Sequence, residues 1–382
     1  MSKDMLRILE VNKFYHPHIG GIESVIQSHS EYFQKREDCD VKVLVCQEKG
    51  KATCDIVNDV SVYRAGSLGT YFSCPLSFQF IRKFKKMAEN ADIIEIHLPF
   101  PLGDVACLLS GYKGKVVISW HSDIIKQKKL LFFYKPILRK FLKRADLIIA
   151  ATQNHIDGSK FLPEFKEKCC VVPYGINTEE YLNAETEKLL SRYSTNKNSV
   201  KFLFVGRLVY YKGIDVLIDA FSKISNENFE LFIVGTGVLE EEMKNKVLCY
   251  NLKEKVHFMG KLSDDDLRSA FSDCDVFVFP SVENSEAFGI VQLEAMIYEK
   301  PVINTSLFTG VPLVSIDGET GITVPPKDVD KLAKAMEKLG NNPELRQKYG
   351  RNAKKRVLEN YDEELNNYQI YDKFQNLLKE GK

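Results

Sequence analysis

Short apolar runs recur along the chain, and each is followed by a longer segment with helical periodicity. In the first half the runs are Leu6–Asn12, Val41–Cys46, Asp92–His97, Lys115–Trp120 and Asp146–Thr152. The second half restarts the rhythm with Lys201–Gly206, Phe229–Gly235, Lys255–Gly260, Asp275–Pro280 and Pro301–Thr305. Strands that alternate with helices are typical of a parallel sheet with crossover helices. The pattern therefore predicts an α/β protein built from two open sheets.

The chain is long enough for two domains, since 382 residues exceed the size at which a single core usually keeps growing. Turn residues at Val172–Gly175 follow a strand and precede a polar stretch, which places the boundary there. After Asn341 the pattern is wholly helical, with aromatic and leucine positions at helical spacing. We predict a first domain at 1–175, a second at 176–360 and a closing helix at 361–382 that packs on the first domain.

Composition argues against several classes of protein. The formal net charge of +1 gives no general attraction to nucleic acid, so we expect no nucleic-acid partner. The N-terminus runs from a few polar residues into a strand pattern, and no stretch approaches the roughly 20 apolar residues of a membrane span. The nine cysteines are odd in number and lack metal-ligand spacing. They favour reduced, buried thiols in a cytoplasmic protein.

Candidate ligand-binding residues follow the predicted strands, as expected for open α/β sheets, which bind ligands beyond the carboxyl ends of their strands. Arg207 follows the strand Lys201–Gly206, and Lys212 lies further along the same loop. A guanidinium holds phosphate oxygens through two hydrogen bonds and an ammonium adds a point charge, so the pair suits a diphosphate. Two solvated cations beside a turn would leave the same pattern.

A second segment, Glu286–Glu294, reads E-A-F-G-I-V-Q-L-E after another strand. Residues from Gly289 to Met296 have the pattern of a helix start, whose amides and positive dipole end suit a phosphate. Glu294 is expected to face the same cleft as Glu286 and to accept hydrogen bonds from sugar or ribose hydroxyls. The alternative is an ordinary acidic residue at a helix N-terminus and an exposed glutamate on the helix.

Two further segments come from the first half of the chain. Gly20 and Gly21 follow the first strand and let the backbone approach a ligand closely, although a tight turn needs them equally. His121 directly follows the strand Lys115–Trp120, where it can hydrogen-bond a sugar hydroxyl or the reacting centre. A satisfied structural histidine is the alternative, and His97 has the same ambiguity with less support.

Two other patterns are interpreted as structural. Val234–Gly237 resembles half of a dinucleotide fingerprint, but the third glycine is missing and acidic residues follow, so it predicts a turn. Ser263 followed by Asp264–Asp266 is the usual start of a helix rather than a metal site.

The glycine pair, the Arg207 and Lys212 loop and above all the spacing Glu286-x7-Glu294 together resemble glycosyltransferase family four over essentially the whole chain. The resemblance implies the GT-B fold, in which two Rossmann-like domains face each other across a cleft. It implies that Arg207 and Lys212 bind the donor diphosphate. Glu286 is then expected to contact the transferred sugar, and Glu294 the ribose hydroxyls.

The remaining site residues follow from the same resemblance. His121 matches the histidine beside the sugar, so the implied catalytic residues are His121, Glu286, Arg207 and Lys212. Lys261 lies where family members contact the base. The full implied donor-binding set is Gly20, Gly21, Arg207, Lys212, Lys261, Glu286, Ala287, Phe288, Gly289, Ile290, Val291 and Glu294.

The resemblance also implies the reaction, which is that of a retaining hexosyltransferase that needs neither a metal ion nor another cofactor. The segment from His121 to Lys128, with Tyr134 and Pro136, looks like bacterial enzymes that build O-antigen or related surface polysaccharides. Mannose from GDP-mannose, transferred to a lipid-linked or oligosaccharide acceptor, is therefore the first expectation. A UDP-sugar is the alternative, because no residue in the sequence identifies the nucleotide base of the donor.

Basic residues mixed with aromatics at Arg82–Lys86 and Lys126–Arg144 suit anionic lipid headgroups, which would bring the enzyme to the inner face of the cytoplasmic membrane. Solvated helices with buried aromatics explain these patches equally well.

Two other classes of protein remain as alternatives. A sugar-nucleotide epimerase would need additional acid/base carboxylates. A non-catalytic nucleotide-sugar binding protein would not need both glutamates, both cations and the histidine.

Overall fold

A computed structural model describes residues 5–18, 20–71, 74–123, 128–196 and 198–380. The chain divides into two compact units, one formed by Met1–Tyr174 with Glu364–Lys382 and the other by Gly175–Glu363. The predicted boundary between 175 and 176 and the observed one between 174 and 175 differ by one residue.

The first unit contains an eight-stranded sheet and a small two-stranded sheet. Its strands are β1 Leu6–Val11, β2 Cys39–Cys46, β3 Thr53–Val57, β4 Val60–Ala65, β5 Thr70–Tyr71, β6 Cys74–Pro75, β7 Ile93–Leu98, β8 Lys115–Trp120, β9 Leu147–Ala150 and β10 Cys169–Val171. The large sheet has the order β10-β9-β8-β7-β1-β2-β4-β3, and only β3 runs antiparallel to its neighbour. The antiparallel hairpin of β3 and β4 and the pair β5–β6 were not among the predicted strands.

Helices cover the first sheet. They are α1 Gly21–Gln34, α2 Phe78–Ala88, α3 Pro101–Ser110, α4 Lys128–Arg144 and α5 Gln153–Gly158, with a 3-10 segment at Leu162–Lys168. Every residue of the central strand β7 is buried, as expected for a parallel strand covered on both faces.

Helices α2 and α4 carry the predicted basic patches. On α2, Phe80 and Phe84 are fully buried while Phe78 is exposed. On α4, Phe141 is buried in the core and Phe132 is exposed. Lys126, where the second patch was predicted to begin, lies outside the described residues. Most of the aromatic residues named here therefore stabilise the core, and one on each helix is left at the surface.

The second unit contains a six-stranded, wholly parallel sheet. Its strands are β11 Val200–Val205, β12 Phe229–Val234, β13 Val256–Gly260, β14 Val276–Val278, β15 Val302–Thr305 and β16 Gly321–Val324, in the order β13-β12-β11-β14-β15-β16. The helices are α6 Thr178–Asn183, α7 Leu189–Tyr193, α8 Ile214–Ser222, α9 Glu240–Cys249, α10 Asp264–Asp273, α11 Val291–Ile297, α12 Val311–Val314, α13 Val329–Gly340 and α14 Pro343–Asn360.

The direction of strand connection reverses beside β11, because β12 lies on one side of it and β14 on the other. The first sheet has the equivalent point at β1, between β2 and β7. Ligands of open α/β sheets bind beyond the carboxyl ends of strands at such points. The loops after β11 and β14 are therefore the first places to look for a site in the second unit.

The closing helix, α15 Glu363–Lys379, packs within the first unit. The rings of Phe374 and Phe33 lie 5.5 Å apart between centroids, and the side-chain amide of Asn367 donates to Ser28 Oγ at 2.9 Å. The chain therefore returns at its end to the sheet with which it began.

The cysteines differ in exposure, and helix α10 begins with a side-chain cap. All nine thiols are free, but Cys54 and Cys249 are exposed, so the expectation of buried cysteines is wrong for these two. Ser263 caps α10 by accepting a hydrogen bond from the amide of Asp266 at 3.1 Å, which confirms the predicted helix start.

Candidate functional site

The loop after β11 carries the two predicted cations of the second unit. It ends in a 3-10 turn at Tyr210–Lys212 and in Gly213, whose φ of +69° lies in the left-handed region. A Cβ on Gly213 would lie 2.1 Å from the carbonyl oxygen of Pro280. Only glycine has both the conformation and the space that this position needs. The turn thereby brings Lys212 against the loop that follows β14.

Lys212 and Glu286 form an ion pair between these two loops. Lys212 Nζ lies 2.5 Å from Glu286 Oε2, and each side chain is less than 15% exposed (14% and 11%). Ser281 Oγ lies 3.4 Å from the same carboxylate oxygen and donates to it. The ammonium also lies 5.1 Å from the centroid of the Phe279 ring, within the range of a cation–π contact. The structure thus places a cation and a carboxylate side by side in a partly dehydrated setting.

Arg207 lies on the exposed surface of the same loop. Its Nη2 donates to Tyr211 Oη at 2.7 Å, and the Tyr211 ring lies 5.8 Å from Lys212 Nζ. Tyr211 therefore connects the two cations. Sequence analysis did not identify Tyr211, because its hydroxyl contact with Arg207 appears only in the folded loop.

The segment from Glu286 to Val291 is a turn followed by a helix. Helix α11 begins at Val291, two residues later than predicted, and Gly289 has a φ of +78°. A Cβ on Gly289 would lie 2.6 Å from the Phe279 ring, so this glycine too is required by space and conformation. The first amides of a helix have no acceptor within the helix, so those of Ile290 and Val291 are suited to an anionic ligand. The next two amides, of Gln292 and Leu293, already donate to the carbonyls of Gly289 and Ile290.

Hydrogen bonds from buried polar side chains hold the turn before α11 in place. The side-chain amide of Gln292 donates to the carbonyls of Phe288 at 3.2 Å and Val311 at 3.3 Å. Asn304 donates to Gln292 Oε1 at 3.0 Å. Phe288 is 3% exposed, so its side chain belongs to the core. Neither Gln292 nor Asn304 was singled out, because their role depends on a contact between helix α11 and strand β15.

Glu294 lies on α11 and has a different partner. Its Oε1 accepts a hydrogen bond from Tyr181 Oη at 2.9 Å, and Tyr298 Oη donates to the carbonyl of Tyr181 at 3.0 Å. Burial raises the pKa of Glu294 above its ordinary value, and the Tyr181 hydrogen bond opposes that rise. The second carboxylate oxygen can accept from a ligand hydroxyl. Sequence analysis did not identify Tyr181.

Lys261 is the exposed residue that directly follows β13. His257 lies four residues earlier, inside β13. Its ring stacks on Phe232 with centroids 4.6 Å apart, and its Nε2 lies 3.0 Å from Glu230 Oε2. Lys261, unlike His257, is exposed and accessible to a ligand.

Gly20 and Gly21 lie in the first unit, at the start of α1. Gly20 is the N-cap in extended conformation, and its carbonyl accepts from the amide of Ser24 at 2.9 Å. A Cβ on Gly21 would meet open space. Neither glycine has a left-handed φ, so the pair contributes accessible backbone rather than a strained turn. Ile19, part of the same segment, lies outside the described residues.

His121 follows β8 in the first unit and is 6% exposed. Its Nδ1 lies 2.6 Å from Tyr174 Oη, and its Nε2 lies 2.9 Å from Nδ1 of His97. Burial lowers the pKa of His121 well below its ordinary value, and the neighbouring His97 adds to the effect. His121 is therefore neutral, with both ring nitrogens engaged inside the unit. A hydrogen bond from this ring to a sugar requires one of the two contacts to open.

Family models match both halves of the chain. The model described as "Glycosyltransferase Family 4" matches residues 19–180, and the model described as "Glycosyl transferases group 1" matches residues 185–356. O-antigen chain mannosyltransferase C of Escherichia coli is 33% identical over 355 residues, which is 93% of this chain and 94% of that protein. The chain belongs to glycosyltransferase family four. The D-rhamnosyltransferase WbpZ of Pseudomonas aeruginosa is 35% identical over 284 residues, covering 74% and 73% of the two chains.

Solved structures are similar to this glycosyltransferase in fold. Anabaena Alr3699/HepE, crystallised with UDP, has a TM-score of 0.79 at 18% identity and covers 97% of this chain and 100% of its own. Sucrose-phosphate synthase of Thermosynechococcus elongatus has a TM-score of 0.78 at 20% identity, with 97% and 99% covered. The predicted fold class, two Rossmann-like α/β domains of the GT-B type with a C-terminal helix, is confirmed.

A helix needs about 20 consecutive apolar residues to cross a bilayer. Within the described ranges, no helix combines the length and the apolar character that crossing a membrane requires.

Proposed function

We propose that this glycosyltransferase transfers a hexose from a nucleoside-diphosphate sugar with retention of the anomeric configuration and without a metal ion. The observation that carries the proposal is the pairing of Lys212 with Glu286 at the carboxyl ends of adjacent strands β11 and β14. A cation for the diphosphate and a carboxylate for the sugar hydroxyls are the two groups that donor recognition requires, and here they are in contact.

Charge develops on the diphosphate as the bond to the sugar breaks. Fixed positive groups that are already oriented toward that charge lower the barrier, since they need little reorganisation during the reaction. Arg207, Lys212 and the first amides of α11 are such groups. The Lys212–Glu286 pair also holds the ammonium in place before the donor binds, and a diphosphate then competes with the carboxylate for it. Glu286 is thereby released to accept hydrogen bonds from the sugar.

Retention follows most simply from attack on the face that the diphosphate leaves. The acceptor oxygen forms the new bond to the anomeric carbon, the bond from that carbon to the phosphate oxygen breaks, and the acceptor proton passes to the departing phosphate. His121 is buried and neutral, so we assign it a positioning role beside the sugar rather than that of a proton carrier. No protein nucleophile is required by this scheme.

The donor is proposed to be GDP-mannose, and the acceptor a lipid-linked or oligosaccharide intermediate of O-antigen synthesis. The similarity to the O-antigen chain mannosyltransferase of E. coli over nearly the whole of both chains supports this choice. A UDP-sugar is the second candidate, because the similar Anabaena structure was determined with UDP-glucose. Exposed basic residues on α2, Arg82, Lys85 and Lys86, with the exposed Phe78, offer a surface for the anionic headgroup of a lipid-linked acceptor.

A thermal-shift panel tests the donor, because a ligand that binds the native state raises the melting temperature. We expect GDP and GDP-mannose to raise it more than UDP and UDP-glucose, in buffer that contains EDTA. A shift with UDP-sugars alone would replace the GDP proposal, and a shift that needs added Mg²⁺ would overturn metal independence. Nuclear magnetic resonance of the glycoside product then determines its anomeric configuration, and inversion would refute the proposed mechanism.

Flotation with liposomes tests the acceptor surface. We expect binding to vesicles that contain anionic lipid, weakening as salt is raised because surface charges are screened. Equal flotation with purely zwitterionic vesicles would refute an electrostatic contact.

A further inference from the structure

Four ionisable side chains meet in the interior of the first unit, away from any surface. Glu10 lies on β1, His29 on α1, and Glu95 and His97 on β7. Glu10 and Glu95 are paired directly across the two parallel strands, so their side chains leave the sheet on the same face, and His97 follows two residues later on that face. His29 covers the group from the helix. None of the four is more than 7% exposed.

Each of the four offers a metal-binding atom, and these atoms all lie within 4.8 Å of one another. His97 Nε2 lies 3.0 Å from Glu10 Oε2, and His29 Nδ1 lies 3.7 Å from Glu95 Oε1. The second distance is too long for a hydrogen bond. The residues are therefore near one another without forming a closed set of hydrogen bonds.

Three of these side chains have a buried atom that lacks a hydrogen-bond partner among the described residues. Glu10 Oε1, Glu95 Oε2 and His29 Nδ1 are buried and have no hydrogen-bond partner among the residues that the structure describes. Buried polar atoms are nearly always paired, and an unpaired buried carboxylate oxygen is especially costly. Two carboxylates side by side in an apolar core add mutual repulsion. An unassigned cation at this place would relieve both costs.

We propose that Glu10, His29, Glu95 and His97 bind a divalent transition-metal ion, with Zn²⁺ as the best fit. Imidazole nitrogens and carboxylate oxygens are both zinc ligands, and structural zinc sites are closed by four protein groups in a tetrahedron. Bonds of about 2.0 to 2.2 Å place tetrahedral ligand atoms roughly 3.3 to 3.6 Å apart. The largest separation between the four ligand atoms, up to 4.8 Å here, therefore shortens by about an ångström or more when the metal binds. The charge of Zn²⁺ offsets that of the two carboxylates.

The site has a consequence for His121. If the metal takes Nε2 of His97, the proton of that ring sits on Nδ1 and is donated to Nε2 of His121, 2.9 Å away. His121 then carries its own proton on Nδ1 and donates it to Tyr174 Oη. Without the metal, either His97 Nε2 or the Glu10 carboxyl can be the donor of the hydrogen bond between them, so nothing fixes which nitrogen of His97 carries its proton. The metal thus sets the tautomer of His121, and it takes no part in diphosphate binding.

Metal content of the purified full-length protein tests the proposal. After dialysis, elemental analysis by mass spectrometry should find about one zinc per chain in the wild type. The variants Glu95→Gln and His29→Gln should hold less than about a fifth of that. His257→Gln is the matched control, because His257 and Glu230 form a similar histidine–carboxylate pair 3.0 Å apart outside the cluster.

A second measurement does not depend on the variants folding. Wild-type protein stripped with a chelator should melt at a lower temperature and recover when one equivalent of Zn²⁺ is returned. Stripped protein that neither takes up Zn²⁺, Mn²⁺ or Fe²⁺ nor changes its melting temperature would overturn the site. In that case a proton on Glu10, whose pKa is raised by burial and by the neighbouring Glu95, relieves the repulsion. Donor binding is measured in EDTA, apart from the metal content. A negative result for the zinc site therefore does not affect the proposed transferase function, and the reverse also holds.

Discussion

Lys212 Nζ lies 2.5 Å from Glu286 Oε2, across two loops that are far apart in the chain. The contact exists because β11 and β14 are adjacent parallel strands, whose carboxyl ends meet at one edge of the sheet. Gly213 and Pro280 bring the two loops together, since a Cβ at Gly213 would collide with the Pro280 carbonyl. The ion pair is therefore a product of topology, and it places a cation and a carboxylate within reach of one ligand.

Removing either cation should slow the reaction more than it weakens the fold. We expect Arg207→Ala and Lys212→Ala each to lose roughly 2 to 4 kcal/mol of transition-state stabilisation in kcat/KM, because each removes a preorganised positive group. Lys223→Ala is the control, because Lys223 forms an exposed ion pair with Asp330 in the same unit. Wild-type turnover in both cation variants would refute their assignment.

Donor binding should weaken at acid pH through Glu294. The family resemblance assigns its carboxylate to the ribose hydroxyls. Burial raises the pKa of Glu294, so protonation occurs above the ordinary value of about 4.3 and would remove that acceptor. The KM for the donor should therefore rise as pH falls toward that raised pKa. The Tyr181 hydrogen bond lowers the pKa of Glu294, so Tyr181→Phe should raise that pKa further. The acid limb, which is the rise of the donor KM at low pH, should then begin at a higher pH.

Glu294→Gln provides the control for that profile. The amide cannot be ionised, so the variant should show a higher KM at neutral pH and lose this acid limb. An acid limb that persists in Glu294→Gln would assign the pH dependence to another group.

Gly213→Ala should damage both stability and donor binding. Its left-handed φ costs an L residue roughly 1 to 2 kcal/mol, and the clash with Pro280 adds to this by displacing the loop that carries Lys212. Gly111→Ala is the matched control, because Gly111 has a φ of +72° but open space around a Cβ. We expect the control to lower the melting temperature and leave the donor KM unchanged. Equal effects of the two substitutions on KM would contradict the role given to the Gly213 contact.

Glu230 should stabilise the second unit only when it is ionised. Burial opposes ionisation, but hydrogen bonds from the Asn196 amide, Ser194, Thr195 and His257 lower the pKa of Glu230 overall. A lowered folded-state pKa gives stability that is present above the unfolded value of about 4.3 and is lost as pH falls through the folded value.

The measurement is the difference in free energy of unfolding between wild type and Glu230→Gln as a function of pH. At neutral pH the variant should be less stable by about 1 to 3 kcal/mol, since charged hydrogen bonds are lost. The difference should shrink as pH falls below about 4. A difference that does not change with pH would mean that packing, not charge, accounts for the effect.

The elements of the fold were largely predictable. All ten predicted apolar runs contain strands, because parallel strands buried on both faces need continuous apolar sequence. The hairpin of β3 and β4 was missed because β3 lies at the edge of the sheet, and its exposed residues carry no such run. The start of α11 was displaced by two residues because Gly289 adopts a left-handed turn before the helix begins.

The site was predictable only in part. Arg207, Lys212, Glu286 and Glu294 have residue types and positions that suggest their chemistry directly. Their partners were not visible in the same way. Tyr211 and Tyr181 have ordinary aromatic patterns, and their hydroxyl contacts appear only when separate elements are packed together.

The sequence by itself determined the ten apolar runs that contain strands and the loops that carry charge, because periodicity and turn chemistry act over a few residues. The tertiary structure decided the partners. Glu10, His29, Glu95 and His97 come from three elements with no ligand spacing along the chain, and only strand pairing sets Glu10 beside Glu95. Contacts between residues far apart in the chain depend on strand order and register, and local pattern does not specify either one.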